Sequence, residues 1–472
     1  MVGKYQQVWD TDKFLRGMST SAYSNDGGFS SDTVNINPKL LPGIIYPTVD
    51  PTDKSTNVAG NLIASCEDAA ASFGNPRYFV DDARHYYWYD GSNMNIGNTA
   101  SGGSYSFGIT DMAAFNGAFY TTTTADITQW NGSSTLTENY WTSTKSQAAL
   151  KSGSGQAHPM IVFEKQLWIG DGNLLHSINE SGTVTNSQIT LSVNESIVAI
   201  GIDPGSGLML ISTTSSLNVS DTYRAQTYVY IHDGYSSKPR RKVVVDDLVT
   251  AFYNVGGTVY VGYGTNLGYW TGNGVQLVRR LANVGYVATE LPYKHHFMNI
   301  ADTLYVLDGR NILAYGSIAP GRPVPYYVYK NLVNTSKPSL ICNLGSGRIG
   351  VSFATNKFYV FDTTSNATGS ADIFLGNVNF PRPISLHRIR IITTGLVNSG
   401  GTGGLYIHDE KGNTFSVNNG GGGGFVTPVG VTLYAFDFDF GGQKLQTLEP
   451  EIFMGSSSFG IVRVIAYYDV AE

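Results

Sequence analysis

MIVFEKQLWIGDGNLLHSI, residues 160–178, carries the pattern on which the fold turns. A short apolar run is broken by Glu164-Lys165, a second run opens on Leu167-Trp168, Asp171-Gly172-Asn173 breaks it again, and a third run follows. β-branched and aromatic residues suit pleated strands, whereas Asp, Asn and Gly suit tight turns. The stretch therefore predicts three antiparallel strands joined by two short turns. Close copies are VTAFYNVGGTVYVGYGTNLGYWTGNG (249–274), FMNIADTLYVLDGRNILAYG (297–316) and MAAFNGAFYTTTTADITQWNG (112–132). Looser ones are RYFVDDARHYYWYDG (77–91), IGIDPGSGLMLISTTSSLNVS (200–220) and GRIGVSFATNKFYVFDTTS (347–365). Anchored on the first apolar residue of the second strand, they start at Tyr78, Phe119, Leu167, Leu208, Val259, Leu304 and Phe358. The period of about 47 residues is that of stacked β units.

Runs such as LMLI (208–211), LYVL (304–307) and FYVF (358–361) are apolar on both faces. A sheet with one wet face would alternate instead. Strands of this kind belong to sheets covered on both sides, as blades are by neighbouring blades. The predicted fold is all-β: a seven-bladed β-propeller over 56–384, an extended N-terminal arm over 1–55, and a small C-terminal antiparallel β-sandwich over 385–472. A generic β-sandwich or a β-solenoid is the competing architecture. The arm carries Pro38, Pro42, Pro47 and Pro51 with little periodicity, and X-Pro units favour extended backbone. The C-terminal segment shows clearer alternation and includes the run Gly420 to Gly424, expected to be mobile or ordered by a neighbour.

Composition supports this division. Of 472 residues 42% are hydrophobic and 14% charged, with 55 Gly, 30 Tyr and 22 Phe. The charged share falls well below the usual ~25%. A net charge of −6 argues against nucleic acid as a main partner. The leading stretch MVGKYQQVWDTDKFLRGMSTS has no apolar run of signal-peptide length, and no stretch is apolar over ~18 residues. A soluble chain made in the cytoplasm, with no membrane-spanning segment, is expected. Two cysteines cannot frame a disulfide scaffold or a structural zinc site. If the ring closes, Cys66 and Cys342 stand on first strands of neighbouring blades, and two buried free thiols are the simplest reading.

No catalytic constellation emerges, and no enzyme activity, cofactor or metal is expected. Asp81-Asp82 and Asp246-Asp247 are adjacent pairs at strand ends, better explained as turn residues than as a glycosidase pair. His295 and His296 would point to opposite faces of a strand, which suits no single metal. The candidate contact residues are aromatic and basic. Tyr87, Trp88 and Tyr89 form the densest aromatic cluster, Trp130 and Trp270 recur near equivalent strand ends, and Arg240 and Arg241 belong to a basic turn. Aromatic side chains of this kind either stack on sugars or anchor protein interfaces, or they pack inside blades. The basic turn is either a solvated loop or a contact for a neighbouring subunit or a phosphate.

The segment FLRGMSTSAYSNDGGFSSDTVNINPKLLPGIIYPT, residues 14–48, resembles the opening of tailed-bacteriophage virion proteins, in which an R/G-G-[IM]-S segment and an N-x-N-P-K-L-L segment precede a propeller. A propeller followed by a small β domain is also similar in plan to phage tail nozzle and hub proteins. The resemblance implies a non-enzymatic tail component, located in the virion, that forms a homo-oligomeric ring. Its implied partners are other copies of itself, other tail or connector proteins and, in the alternative of a lectin-like receptor-binding module, host-surface glycan.

Overall fold

The computed structural model describes residues 51–67, 77–102, 105–106, 110–152, 156–215, 227–281, 293–316, 324–329, 338–363, 371–375, 378–395, 402–409, 414–416, 424–426, 434–455 and 459–470, with the backbone of four N-terminal strands, Gln7–Asp12, Ser30–Val34, Ile36–Asn37 and Tyr46–Pro47. Among these residues stand seven four-stranded antiparallel sheets. Blade 1 runs Leu62–Cys66, Arg77–Asp81, His85–Tyr89, Met94–Thr99. Blade 2 runs Met112–Phe115, Ala118–Thr122, Ile127–Trp130, Leu136–Thr137. Blade 3 runs Met160–Phe163, Gln166–Asp171, Leu174–Asn179, Val184–Thr190. Blade 4 is Ser196–Asp203, Leu208–Thr214, Thr227–His232, Arg241–Val245, and blade 5 is Val249–Val255, Thr258–Tyr263, Asn266–Trp270, Val275–Arg280. Blade 6 is Phe297–Ile300, Thr303–Asp308, Asn311–Gly316, Val324–Tyr329.

Blade 7 takes three strands from one end of the propeller sequence, Pro338–Asn343, Arg348–Phe353 and Lys357–Asp362, and its outer strand Thr52–Asp53 from the other. Each first strand touches the first strand of the next blade, and that of blade 7 touches that of blade 1, so the ring closes. The chain is an all-β propeller.

The core lies between blades, which explains the doubly apolar strands. In blade 1, Tyr78, Val80 and Tyr86 face a layer with Met112, Phe119 and Trp130 of blade 2. The intervening Phe79, Tyr87 and Tyr89 face the other way, toward Leu340, Cys342 and Phe358 of blade 7. Each such ring removed from water contributes roughly 1.5–3 kcal/mol. Close approach is enforced by glycine at one point: a Cβ on Gly201 of blade 4 would lie 2.3 Å from Cβ of Phe252 in blade 5. Polar ties between successive blades join their turns. Asn116 Nδ2 donates to the Glu180 carbonyl at 2.7 Å, Tyr235 Oη donates to Glu164 at 2.7 Å, and Arg348 Nη1 donates to the Gly91 carbonyl at 2.6 Å.

Three expectations need correction. Phe358 lies on the third strand of blade 7, because the first strand, PSLICN, carries a proline and had no turn signal to mark it. Placing the anchor on Ile349 of the second strand restores the common period. The boundary at 55 cuts after the closing strand Thr52–Asp53, so the arm is partly propeller. The boundary at 384 falls inside Val378–Gly395, because that strand turns its alternation toward the C-terminal sheet several residues earlier than the texture suggests.

The remaining strands, apart from the separate pair Ile36–Asn37 and Tyr46–Pro47, form a second β system built around the long strand Tyr434–Gly455. Its residues 434–448 pair with Val378–Gly395, which pairs in turn with Phe459–Val470 and that with Gln7–Asp12. Its residues 449–455 pair with Thr402–His408, and residues 451–454 also with Ala371–Leu375, which carries Ser30–Val34. Ile384, Leu386, Ile389 and Ile391 are buried while their neighbours are partly exposed, giving one dry and one wet face. The wet face bears cross-strand ion pairs: Arg390 grips Asp437 with two bonds of 2.7 Å, and Arg388 donates to Asp439 at 2.8 Å. The arm is thus not a free extension, since two of its strands occupy edges of this sheet system. Residues 420–423 of the glycine run lie outside the described residues, as does most of the 14–48 segment. Among the described residues no helix is long and apolar enough to cross a membrane.

Candidate functional site

The polar centre of the propeller is assembled from residues that immediately precede first strands. Asp111 stands before Met112–Phe115 of blade 2. Lys294 and His295 stand in a 3-10 turn, Lys294–His296, before Phe297–Ile300 of blade 6. The chain separates these partners by 183 and 184 residues, and the ring brings them together. Oδ1 of Asp111 accepts from His295 Nε2 at 3.0 Å, from Lys294 Nζ at 3.1 Å and from the Met112 amide at 2.8 Å. Oδ2 accepts from Lys294 Nζ at 3.0 Å and from the Met160 amide of blade 3 at 2.8 Å. The ammonium also donates to the Met160 carbonyl at 3.1 Å. Blades 2, 3 and 6 therefore share one carboxylate.

Burial alone would raise the pKa of Asp111, but the Lys294 charge and the His295 hydrogen bond outweigh it and hold the carboxyl well below its usual range. Burial lowers His295 despite Asp111, so the ring is neutral and its Nε2–H is the donor. His296, buried and beside His295, is pushed down to about 3. The cluster borders a small cavity, lined mainly by apolar side chains such as Ile63, Val198, Ala199, Ala251 and Phe252 from the first strands. His295 and His296 do not lie on a strand as expected. The 3-10 turn places them because both backbone and side chain of Tyr293 engage His296.

Three further buried carboxylates are turned inward in the same manner. Asp81 accepts from the His85 amide at 2.7 Å, His85 Nδ1 at 2.9 Å and Tyr87 Oη at 2.6 Å. Asp171 accepts from the Lys151 amide at 2.6 Å and from His176 Nε2 at 3.3 Å, and the Ser187 amide fixes that tautomer by donating to His176 Nδ1. Glu195 accepts from Thr213, Tyr230 and Lys242 at 2.8, 3.0 and 2.8 Å. Asp82 and Asp247 bond nearby backbone amides, of Asn61 and Leu248, as turn residues do. Among the described residues no group of three or more His, Cys, Asp or Glu is arranged to hold a metal ion. Cys66 and Cys342 are buried free thiols on first strands in contact, and burial pushes both up to about 12. They occupy different layers, Cys66 between blades 1 and 2 and Cys342 between blades 7 and 1.

Most of the aromatic candidates are interior. Tyr87, Tyr89, Trp130 and Trp270 are 0%, 1%, 0% and 7% exposed, so none offers a ring face to a sugar or a partner. Their recurrence is that of core positions repeated from blade to blade. Trp88 is half-buried and leans on Trp130, 6.5 Å between ring centres. Arg240 and Arg241 are exposed: Arg240 donates to Asp233 at 2.9 Å, and Arg241 Nη1 reaches the Gly272 carbonyl of blade 5 at 3.5 Å. Sequence reasoning singled out His295 but missed Asp111 and Lys294. The available signal was a charged residue directly before an apolar first strand, as in Asp111-Met112 and Glu195-Ser196.

No family model matches the chain, and no curated protein matches it either. Solved structures similar to it are β-propellers at very low identity. Raptor from Chaetomium thermophilum shares 10% identity at a TM-score of 0.44, over 67% of this chain and 29% of that one. The WD40 β-propeller domain of Doa1 shares 10% at 0.43, over 67% and 96%, and YCF48 bound to D1 peptide shares 6% at 0.43, over 67% and 99%. The chain thus spans well under half the length of the Raptor chain and nearly all of the other two.

Proposed function

We propose that the chain is a non-enzymatic structural protein of a bacteriophage virion, a tail component such as a nozzle, hub or tail-tip protein that assembles as a homo-oligomeric ring. The observation that carries the structural role is the use of Asp111: its five hydrogen bonds tie three blades together and leave the carboxylate committed to the scaffold. A group so saturated serves rigidity rather than turnover. The virion assignment rests on the resemblance of residues 14–48 to phage virion openings. Arm strands on the edges of the C-terminal sheet agree with it, since exposed edges are templates for pairing with further chains. The glycan-binding alternative is weakened by the burial of Tyr87, Tyr89, Trp130 and Trp270.

Light scattering coupled to size exclusion, with mass spectrometry of purified particles, tests the proposal. A monodisperse multiple of the 51.0 kDa chain that also occurs in particles supports it. A monomer at all concentrations, absent from particles, overturns it.

A further inference from the structure

The outer strands of the blades differ sharply in charge. Met94–Thr99, Leu136–Thr137, Val184–Thr190 and Val324–Tyr329 carry no charged residue, and Thr52–Asp53 carries one acid. Arg241–Val245 and Val275–Arg280, on the adjacent blades 4 and 5, carry Arg241, Lys242, Arg279 and Arg280 and no acid. The same two strands hold exposed apolar side chains, Val244 at 73% and Leu277 at 49%. This cationic and apolar side stands on a chain of net charge −6.

Some of the charge is answered within the molecule. Lys242 pairs with Glu195 at 2.8 Å and Arg240 with Asp233 at 2.9 Å. Arg241 donates to a carbonyl, that of Gly272 at 3.5 Å, which leaves its charge without an acid among the described residues, and exposed Lys238 stands three residues before it. Arg241–Val245 ends its sheet, pairing on one side with Thr227–His232 and, among the described residues, with no strand on the other. On this strand Val243 and Val245 face the layer toward blade 5, while Lys242 and Val244 face outward beside Tyr230 and Tyr228.

We propose that the outer edge of blade 4 is a docking strand for an acidic, extended peptide segment of a partner protein. The segment adds as a fifth strand to the blade. Backbone pairing satisfies the open edge, one acidic side chain meets Arg241, a second shares the partly exposed Lys242 ammonium with Glu195, and an apolar side chain two positions further on covers Val244. The pattern expected of the partner is acid, acid, any residue, apolar, read parallel to residues 241–244. A nucleic acid is disfavoured by three features: few uncommitted cations, an exposed valine between them and a chain that is acidic overall. The inference is independent of the virion reading, since it names a surface of the propeller and the chemistry that fits it.

The full chain is titrated into a fluorescein-labelled peptide carrying two glutamates followed at the second position by valine, with anisotropy as readout. Binding is expected to weaken about tenfold for Arg241→Glu and for the peptide with glutamines, the scale of one lost charge contact. Pairing Arg241→Glu with a lysine-substituted peptide is expected to restore it. Val244→Lys, on an exposed position that leaves folding intact, is expected to weaken binding of the valine peptide. No binding of the glutamate peptide overturns the proposal. So does equal binding of a single-stranded oligonucleotide that is indifferent to Val244→Lys, since that is the behaviour of a general polyanion site.

Discussion

Asp111 shows how one side chain can hold a ring. Replacing it with Asn leaves Lys294 beside the Met160 carbonyl without its counter-ion, although the lysine side chain is 38% exposed and partly screened. A loss of about 2 kcal/mol is expected, below the 3–5 kcal/mol of a fully buried broken pair. Urea unfolding measures it, and Lys294→Met in the same background should recover part of the loss. A second consequence is acid sensitivity. Burial lowers His295 and pushes His296 to about 3, so the unfolded chain takes up these protons near the usual 6.5 while the folded one does not. Because the unfolded state then binds more protons, stability is full above pH 6.5 and falls as the pH drops toward 3. Asp111 adds its own loss only below its usual 3.8, where the unfolded carboxyl protonates first. The midpoint of thermal unfolding should therefore decline between pH 6.5 and 4, before carboxylates contribute, and His296→Gln should flatten that decline. At Gly201 the demand is purely steric, and Gly201→Ala should cost roughly 1–3 kcal/mol through overpacking against Phe252, read by the same urea experiment.

At the scale of elements, the closing strand is the piece that sequence texture hid. Thr52–Asp53 is two residues long, and a strand that short leaves no periodicity to read. It is fixed instead by pairing of Asp53 with Tyr359 and Thr52 with Val360, by the Lys54 amide donating to the Phe358 carbonyl at 2.8 Å, and by Lys357 donating to Asp53 at 2.8 Å. Lys54→Pro removes that amide at a backbone φ of −119°, which proline cannot adopt, and should lower stability by about 1–3 kcal/mol. Asp53→Ala loses an exposed ion pair and exposed turn bonds from Ser55, and should cost less than the Lys54 variant. By contrast, the inner three strands of blades 2, 3, 5 and 6 were legible, since each carries two apolar faces and a turn marked by Gly, Asn or Asp. Fourth strands such as Val184–Thr190 and Met94–Thr99 escaped because they are polar and partly exposed. The candidate site was legible only in part for a related reason: the turn chemistry at Asp111 and Lys294 is local, whereas their meeting is created by ring closure.

For the whole molecule, the two cysteines turn the seam of the ring into something measurable. Cys342 lies in the layer between blades 7 and 1, where the chain's two ends of the propeller meet, and Cys66 in the layer between blades 1 and 2, where the chain is continuous. Both thiols are buried and pushed up to about 12, so neither offers thiolate to a reagent in the closed ring. A covalently continuous layer opens only when the blade itself unfolds, but a seam held by strand pairing can open alone, at lower free energy. Weakening the closing strand with Lys54→Pro should therefore speed labelling of Cys342 by a disulfide reagent well before that of Cys66. In the unaltered chain, with the closing strand paired, both thiols should label slowly. Equal acceleration of both thiols in the variant would mean that blade 7 and blade 1 unfold with the rest of the ring as one cooperative unit, and that the seam confers no weakness of its own.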